Sequence, residues 1–397
     1  MDEPRVVARR SAPPRARRVG DRRPRGHALS QGFHRGARVT RDLPRPREWL
    51  AGAAPYRTES QAAEVRLQSN ESTESAPLGR YLRQADLEGT LLNRYPDITA
   101  ADLRTLLARR WEVTPEQVIL GNGSNEVLLY TFLIFGGSDR TLLVFTPTYT
   151  MYARLARLTG MRVHEERVGV PYSLDVARVR GAVARVRPDV VCFSSPNNPT
   201  GNLLDDATIL AAADAGSILV LVDEAYAEFS GHTLLPRIAD HPNVVVVRTL
   251  SKAHAAAGLR LGALVADRRL AAMYEAARLP YNVGTLTQLV GRRIVADDAG
   301  LAERVSCIIG ERTRVERELH RMPELDAFPS AANFILFRPR MMRGRALHTE
   351  LVERGVLVRD VSSWPDAGES LRATIGNPTE NDRLLDALRA VLAERSR

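Results

Sequence analysis

Val244-Val245-Val246-Val247-Arg248-Thr249-Leu250-Ser251-Lys252 decides how the rest of the chain is read. Four consecutive valines show no polar alternation, as expected of a strand covered on both faces by helices. The polar residues that follow gather at the carboxyl end of that strand. Its last residue, Lys252, is the chain's only lysine, although Lys and Arg together number 56. Arginine can supply surface charge and pair with carboxylates. It cannot give up its proton near neutral pH, whereas a lysine amine can once its pKa is lowered.

Other β-rich runs lie before and after this one: Gln117–Leu120, Thr141–Phe145, Met161–Glu165, Asp189–Ser194, Ile218–Val222 and Gly262–Val265. Amphipathic stretches separate them. Strand alternating with helix predicts an α/β fold, with a large domain over 96–285 built on a mostly parallel seven-stranded sheet covered by helices. A long helical pattern, Thr287–Met322, places an interdomain helix over 286–322. Beyond Pro323, strands are expected over Phe334–Phe337, Gly355–Val358 and Leu371–Ile375, with a closing helix over Asn381–Glu394. These make a smaller α+β domain over 323–397, joined at the other end by an N-terminal segment, 49–95.

The formal charge of +9 comes entirely from residues 1–48, where fourteen arginines face five acids. This Pro/Arg/Gly-rich leader has almost no apolar periodicity and is expected to be disordered. It reads as a dispensable tail or as upstream sequence translated from a misplaced start. A nucleic-acid arm or an organellar transit segment is the competing reading. The body shows no basic stripe interleaved with aromatics, so nucleic-acid binding is not expected. No apolar run approaches the roughly 20 residues of a membrane span. Cys192 and Cys307 make no ligand spacing, so no metal site is expected, and they read as reduced residues of a cytoplasmic protein.

In parallel sheets ligands bind beyond the strands' carboxyl ends, and polar motifs recur there. They are Gly121-Asn122-Gly123-Ser124-Asn125-Glu126, Pro147-Thr148-Tyr149, Pro196-Asn197-Asn198-Pro199-Thr200-Gly201, Asp223-Glu224-Ala225-Tyr226 and the stretch ending at Lys252, with Arg260 eight residues on. Each taken alone could be a turn or a helix cap. Together they supply what a pyridoxal-phosphate site requires. Lys252 would form a Schiff base with the aldehyde, and Asp223 would hold the ring nitrogen protonated. Tyr226 and Asn198 would bond the ring oxygen, and Tyr149 would cover the ring face. Ser124 and Asn125 at a helix N-terminus, Thr249, Ser251 and Arg260 would hold the phosphate.

On these residues the chain resembles the fold-type I pyridoxal-phosphate aminotransferases of class I/II, most of all the histidinol-phosphate aminotransferase subgroup, from about Leu50 to the C-terminus. Ala54-Pro55-Tyr56, Leu92-Asn93-Arg94-Tyr95-Pro96-Asp97, the 196–201, 222–226 and 248–253 motifs and Gly258-Leu259-Arg260-Leu261-Gly262 carry the resemblance. It implies a homodimer with shared sites, Tyr95 reaching the neighbouring subunit's cofactor phosphate and Tyr56 approaching its substrate. It also implies that Arg372, in Leu371-Arg372-Ala373-Thr374, clamps an anionic substrate group, and that Arg359, thirteen residues earlier, binds a substrate phosphate.

Four positions depart from the family pattern. Ser69-Asn70-Glu71-Ser72-Thr73 replaces the usual Asn-Glu-Asn-Pro, His254 stands where an aromatic is usual, Asn125 where Asp is frequent, and Asn377 where Thr follows Gly376. The expected reaction is transfer of an amino group from L-histidinol phosphate to a 2-oxo acid such as 2-oxoglutarate. The alternatives are an aromatic or other amino-acid aminotransferase, a decarboxylase of an amino-acid phosphate, and a nucleic-acid-binding regulator that uses the leader.

Overall fold

The computed structural model describes residues 47, 55, 61–74 and 77–395, so the leader up to 46 and Tyr56 lie outside it. In chain order the strands are β1 (Val65–Arg66), β2 (Val118–Asn122), β3 (Thr141–Thr146), β4 (Arg162–Arg167), β5 (Val190–Ser194), β6 (Leu219–Asp223), β7 (Val244–Thr249) and β8 (Leu261–Val265), then β9 (Leu325–Ala327), β10 (Phe334–Pro339), β11 (Val356–Leu357), β12 (Arg359–Asp360) and β13 (Leu371–Thr374).

Seven of them form one sheet in the order β2-β8-β7-β6-β5-β3-β4. The pairs from β7 through β4 are parallel, and β8 is antiparallel to both β7 and β2. Only β8 therefore runs against the other six. That reversal has a chemical consequence: the residue preceding β8, Arg260, arrives at the same edge as the carboxyl ends of the other strands.

The continuous apolar runs are explained by helices on both faces. Val191, Val220, Val222, Val244 and Val246 belong to one buried cluster, and Val190, Leu219, Leu221, Val245 and Val247 to the other. With side chains alternating across the pleat, a strand packed on both faces has no position where a polar residue is free of cost.

A four-stranded antiparallel sheet, β12-β13-β10-β9, packs its own buried cluster against helices Asp298–His320, Gly344–Glu353 and Pro378–Arg395. β1 pairs in parallel with β11 in a separate two-stranded sheet, and the Thr374 N–H of β13 donates to the Leu67 carbonyl at 2.8 Å, tying the segment after residue 64 to the four-stranded sheet.

One expectation needs correction. The 287–322 pattern is two helices, Thr285–Val295 and Asp298–His320; the Asp297 side chain accepts from the Gly300 N–H at 3.1 Å and caps the second. The strand expected over 355–358 is β11, and a further short strand, β12, follows it and bonds to a different partner. Among the described residues no helix is long and apolar enough to cross a membrane.

Candidate active site at the strand ends

The strand-end motifs converge on one cavity of about 380 Å³. Lys252, Asp223, Tyr226, Asn198, Tyr149, Ser124, Asn125, Thr249, Ser251, Arg260, Arg359 and Arg372 all line it. Tyr95 does not. It is 80% exposed and stacks on Tyr281 with ring centroids 4.5 Å apart. The expected role of Tyr56 falls outside the described residues.

One pole of the cavity is built for an anion. Helix Ser124–Phe135 starts there with its free N–H groups. The Arg260 guanidinium lies against Gly123, so close that a Cβ on Gly123 would meet Nη2 at 2.2 Å. Gly123 also has φ +80°, a left-handed conformation that L side chains rarely adopt. A Cβ on Gly262 would meet the Ser124 nitrogen at 2.3 Å, so β8 can approach the helix start only as glycine. Thr249 Oγ1 donates to Ser251 Oγ at 2.9 Å, setting two hydroxyls side by side at the same pole.

At the centre are two titratable groups, the buried Asp223 and the half-buried Lys252. Burial, with the nearby Arg372 charge second, lowers the Lys252 amine to about 8, and Glu71 partly opposes the shift. Lys252 Nζ donates to the Ser69 carbonyl at 3.0 Å. Burial raises Asp223 to about 6, against hydrogen bonds that favour its charged form. Those bonds come from the Tyr152 hydroxyl to Oδ2 at 2.8 Å and from the Ala225 N–H to Oδ1 at 3.1 Å.

Arg248 fixes the two strand ends against each other. Its guanidinium donates to Glu224 at 2.7 Å and Glu228 at 3.0 Å and lies over the Trp111 ring. This buried network joins the end of β7, which carries Lys252, to the turn after β6, which carries Asp223 and Tyr226.

The opposite pole is cationic. Arg359 and Arg372 are directly paired across β12 and β13, so both side chains leave the same face of the sheet. Arg372 donates to Asn198 Oδ1 at 2.5 Å and to the Gln68 carbonyl at 2.8 Å, with its guanidinium over the Phe334 ring. Trp364 lines the wall beside them.

Tyr152, Gln68, Glu71 and Trp364 were not singled out from sequence. The signal available for Tyr152 was its place in the first turn of the helix that follows the Pro147-Thr148-Tyr149 motif. His254 does not line the cavity. It is buried, neither ring nitrogen has a hydrogen-bond partner among the described residues, and burial pushes the imidazole down to about 4.

Residues 62–388 match the family described as "Aminotransferase class I and II". The histidinol-phosphate aminotransferase of Caldanaerobacter subterraneus is 34% identical over 87% of this chain and 98% of that relative. The one from Streptomyces avermitilis is 38% identical over 89% of this chain and 98% of its own length. The solved histidinol-phosphate aminotransferase of Sinorhizobium meliloti, in complex with pyridoxal-5'-phosphate, superposes with a TM-score of 0.75 at 24% identity, covering 84% of this chain and 92% of that one. Over most of its length, therefore, the chain belongs to the class I and II aminotransferases, enzymes of fold type I that work with pyridoxal 5'-phosphate.

Proposed function

We propose that the chain moves the amino group of L-histidinol phosphate to a 2-oxo acid such as 2-oxoglutarate, in a ping-pong cycle, as a cytoplasmic homodimer. The observation that carries this reading is the Arg359–Arg372 pair. Directly opposite each other on adjacent strands and both lining the cavity, the two guanidiniums are placed to reach one anionic group together. At the far end of a cavity that already has an anion pole at Arg260, a second cationic pair suits a substrate that brings its own phosphate. The names of the two bacterial relatives support the same donor.

The residues fit the cofactor. The Gly123–Arg260 cradle and the start of helix Ser124–Phe135, with Thr249 and Ser251, would take its phosphate. When bound, pyridoxal 5'-phosphate supplies an aldehyde for the amine and a cationic ring that draws electrons from the substrate's α-carbon. Tyr149 would cover the ring face, and Asn198 and Tyr226 would bond the ring oxygen. Asp223 keeps the ring-nitrogen proton in place. The Lys252 amine would take the donor's α-proton on Nζ and hand it on as general base and then general acid. Arg372 and Arg359 orient the donor, and Arg372 serves the carboxylate of the 2-oxo acid in the second half of the cycle. The exposed Tyr95, with the exposed Leu91, Leu92 and Leu279 in the same parts of the chain, supports a dimer in which Tyr95 reaches the neighbouring site.

The test is a donor panel scored for keto product against CO₂. Transfer of nitrogen from histidinol phosphate without CO₂ release supports the proposal. CO₂ release, or faster turnover with an unphosphorylated aromatic amino acid, rejects it. Within that panel Arg359→Leu is expected to raise KM for the phosphorylated donor roughly 10²-fold, the scale of a lost charge-assisted contact, while a donor without phosphate changes less than threefold.

Loading of the cofactor-free protein gives a pH prediction. The attacking form is the neutral amine, and its pKa is lowered to about 8. The association rate should therefore rise about tenfold per unit of pH below 8 and level off above it. A rate still rising steeply at pH 10 would show an ordinary, unshifted lysine.

A further inference from the structure

Leu67-Gln68-Ser69-Asn70 follows β1 and crosses the mouth of the cavity. Three consecutive residues of it each hold one group of the site. The Gln68 carbonyl accepts from Arg372 at 2.8 Å, the Ser69 carbonyl from Lys252 Nζ at 3.0 Å, and the Asn70 amide nitrogen donates to the Tyr226 hydroxyl oxygen at 2.9 Å. Only the last contact is made by a side chain, so only there does the identity of the residue matter chemically.

Asn70 is 1% exposed and held from two sides. Its backbone N–H donates to Thr374 Oγ1 at 2.9 Å, and its carbonyl accepts from Asn333 Nδ2 at 3.2 Å. Thr374 in turn donates to the Leu67 carbonyl at 2.7 Å, which pins the segment to β13 beside Arg372. The backbone at Asn70 has φ 52°, in the left-handed region that asparagine tolerates better than most residues with a Cβ. Asparagine thus satisfies the backbone and presents an amide to Tyr226.

We propose that Asn70 is a positioning residue for the transamination. It acts through Tyr226, fixing which way the phenol presents its proton. A primary amide nitrogen can only donate. Its hydrogen bond makes the Tyr226 oxygen an acceptor on the Asn70 side and turns the phenolic O–H away from it. The phenol is then set to face the cofactor's ring oxygen as a donor. The inference rests on the reading of Tyr226 given above. It also assigns work to the segment in which this chain departs from the family pattern: Asn70 is retained, and the positions after Glu71 differ.

The test is a double-mutant cycle on the cofactor-loaded enzyme with Asn70→Gly and Tyr226→Phe. Glycine keeps the left-handed backbone and removes only the amide. Two quantities are read: kcat and KM, and the pH midpoint of the cofactor's visible absorbance, which a donor at the ring oxygen moves whether or not the enzyme turns over. Asn70→Gly is expected to lower kcat about tenfold with KM within about twofold, and to shift the midpoint in the same direction as Tyr226→Phe. In the Tyr226→Phe background the same substitution should change neither quantity more than about twofold, because residues that act as one unit do not add. Losses that multiply, or a wild-type midpoint in Asn70→Gly beside a shifted one in Tyr226→Phe, would overturn the proposal and leave the Tyr226 reading standing. A Tyr226→Phe enzyme with unchanged kcat and midpoint would strike the Tyr226 reading itself. If glycine prevents folding, Asn70→Ser, too short to reach the phenol, enters the same cycle.

Discussion

Lys252→Ala is expected to lower kcat by about 10⁴-fold or more, since it removes both the group that takes up the aldehyde and the proton carrier at the α-carbon. The protein should fold. The amine occupies a cavity with one hydrogen bond to Ser69 and is not part of the apolar clusters. Lys252→Arg is the more discriminating variant. It keeps the charge and reach in a chain that uses arginine for every other cationic side chain, yet a guanidinium cannot deprotonate in this pH range. Both variants should lack the visible absorbance of the lysine-bound cofactor, borohydride should no longer fix cofactor to the chain, and Arg should be no better than Ala. A Lys252→Arg enzyme with more than about 1% of wild-type turnover would show that position 252 contributes only charge.

Much of this site could be read from sequence because six of seven strands in the large sheet point the same way. A polar motif after each apolar run then lands at one edge whatever the strand order, so Asp223, Asn198, Tyr149 and Lys252 come together without any knowledge of pairing. The direction of β8 was not legible. Nothing in Gly262–Val265 marks it as antiparallel, and Arg260 was placed by its distance from Lys252 along the chain. Local signals outvoted by periodicity produced the error at 287–322. The apolar repeat runs on through Ala296 and Asp297, and the break shows only in the capping bond from Gly300 to Asp297. The break after the 355–358 run was hidden for a different reason. β11 is held by β1, almost three hundred residues earlier in the chain, while β12, starting at Arg359, pairs with β13.

The supporting contacts were the least legible. Gln68 and Ser69 act through carbonyls, which every residue has. Tyr152 and Asn70 reach Asp223 and Tyr226 across 71 and 156 residues of chain. Arg248 looked like one more cation beside the lysine, and its burial against Glu224, Glu228 and Trp111 appears only in three dimensions. Chemistry that a side chain carries by itself can be found by type and order. Chemistry that depends on a partner from another element cannot.

Asp223→Asn is expected to bind the cofactor and lose roughly 10²- to 10³-fold in kcat, the scale of removing one aligned electrostatic partner from a reacting centre. The carboxylate has two acceptor oxygens and already meets two donors, the Tyr152 hydroxyl and the Ala225 N–H. Both favour the ionised form, and a carboxylate still has lone pairs for a ring N–H. An asparagine would turn an NH₂ group toward one of those positions. Facing the ring nitrogen, it can only donate, which requires that nitrogen to be unprotonated and a poor electron acceptor. The pH dependence follows with the same sign. Burial raises Asp223 to about 6, so below that pH the empty site holds a neutral acid. A cationic ring opposite favours the carboxylate and moves the limb lower. Wild-type activity should therefore decline on the acid side at or below about pH 6, and Asp223→Asn should lack that limb. Asp223→Glu separates charge from fit. It keeps the carboxylate but forces an extra methylene into a site that is 4% exposed, at a cost of about 1–3 kcal/mol in packing. If charge is the requirement, Glu retains more activity than Asn despite fitting worse. Equal losses in the two variants would assign Asp223 to geometry alone, and the ring-nitrogen role would have to be given up.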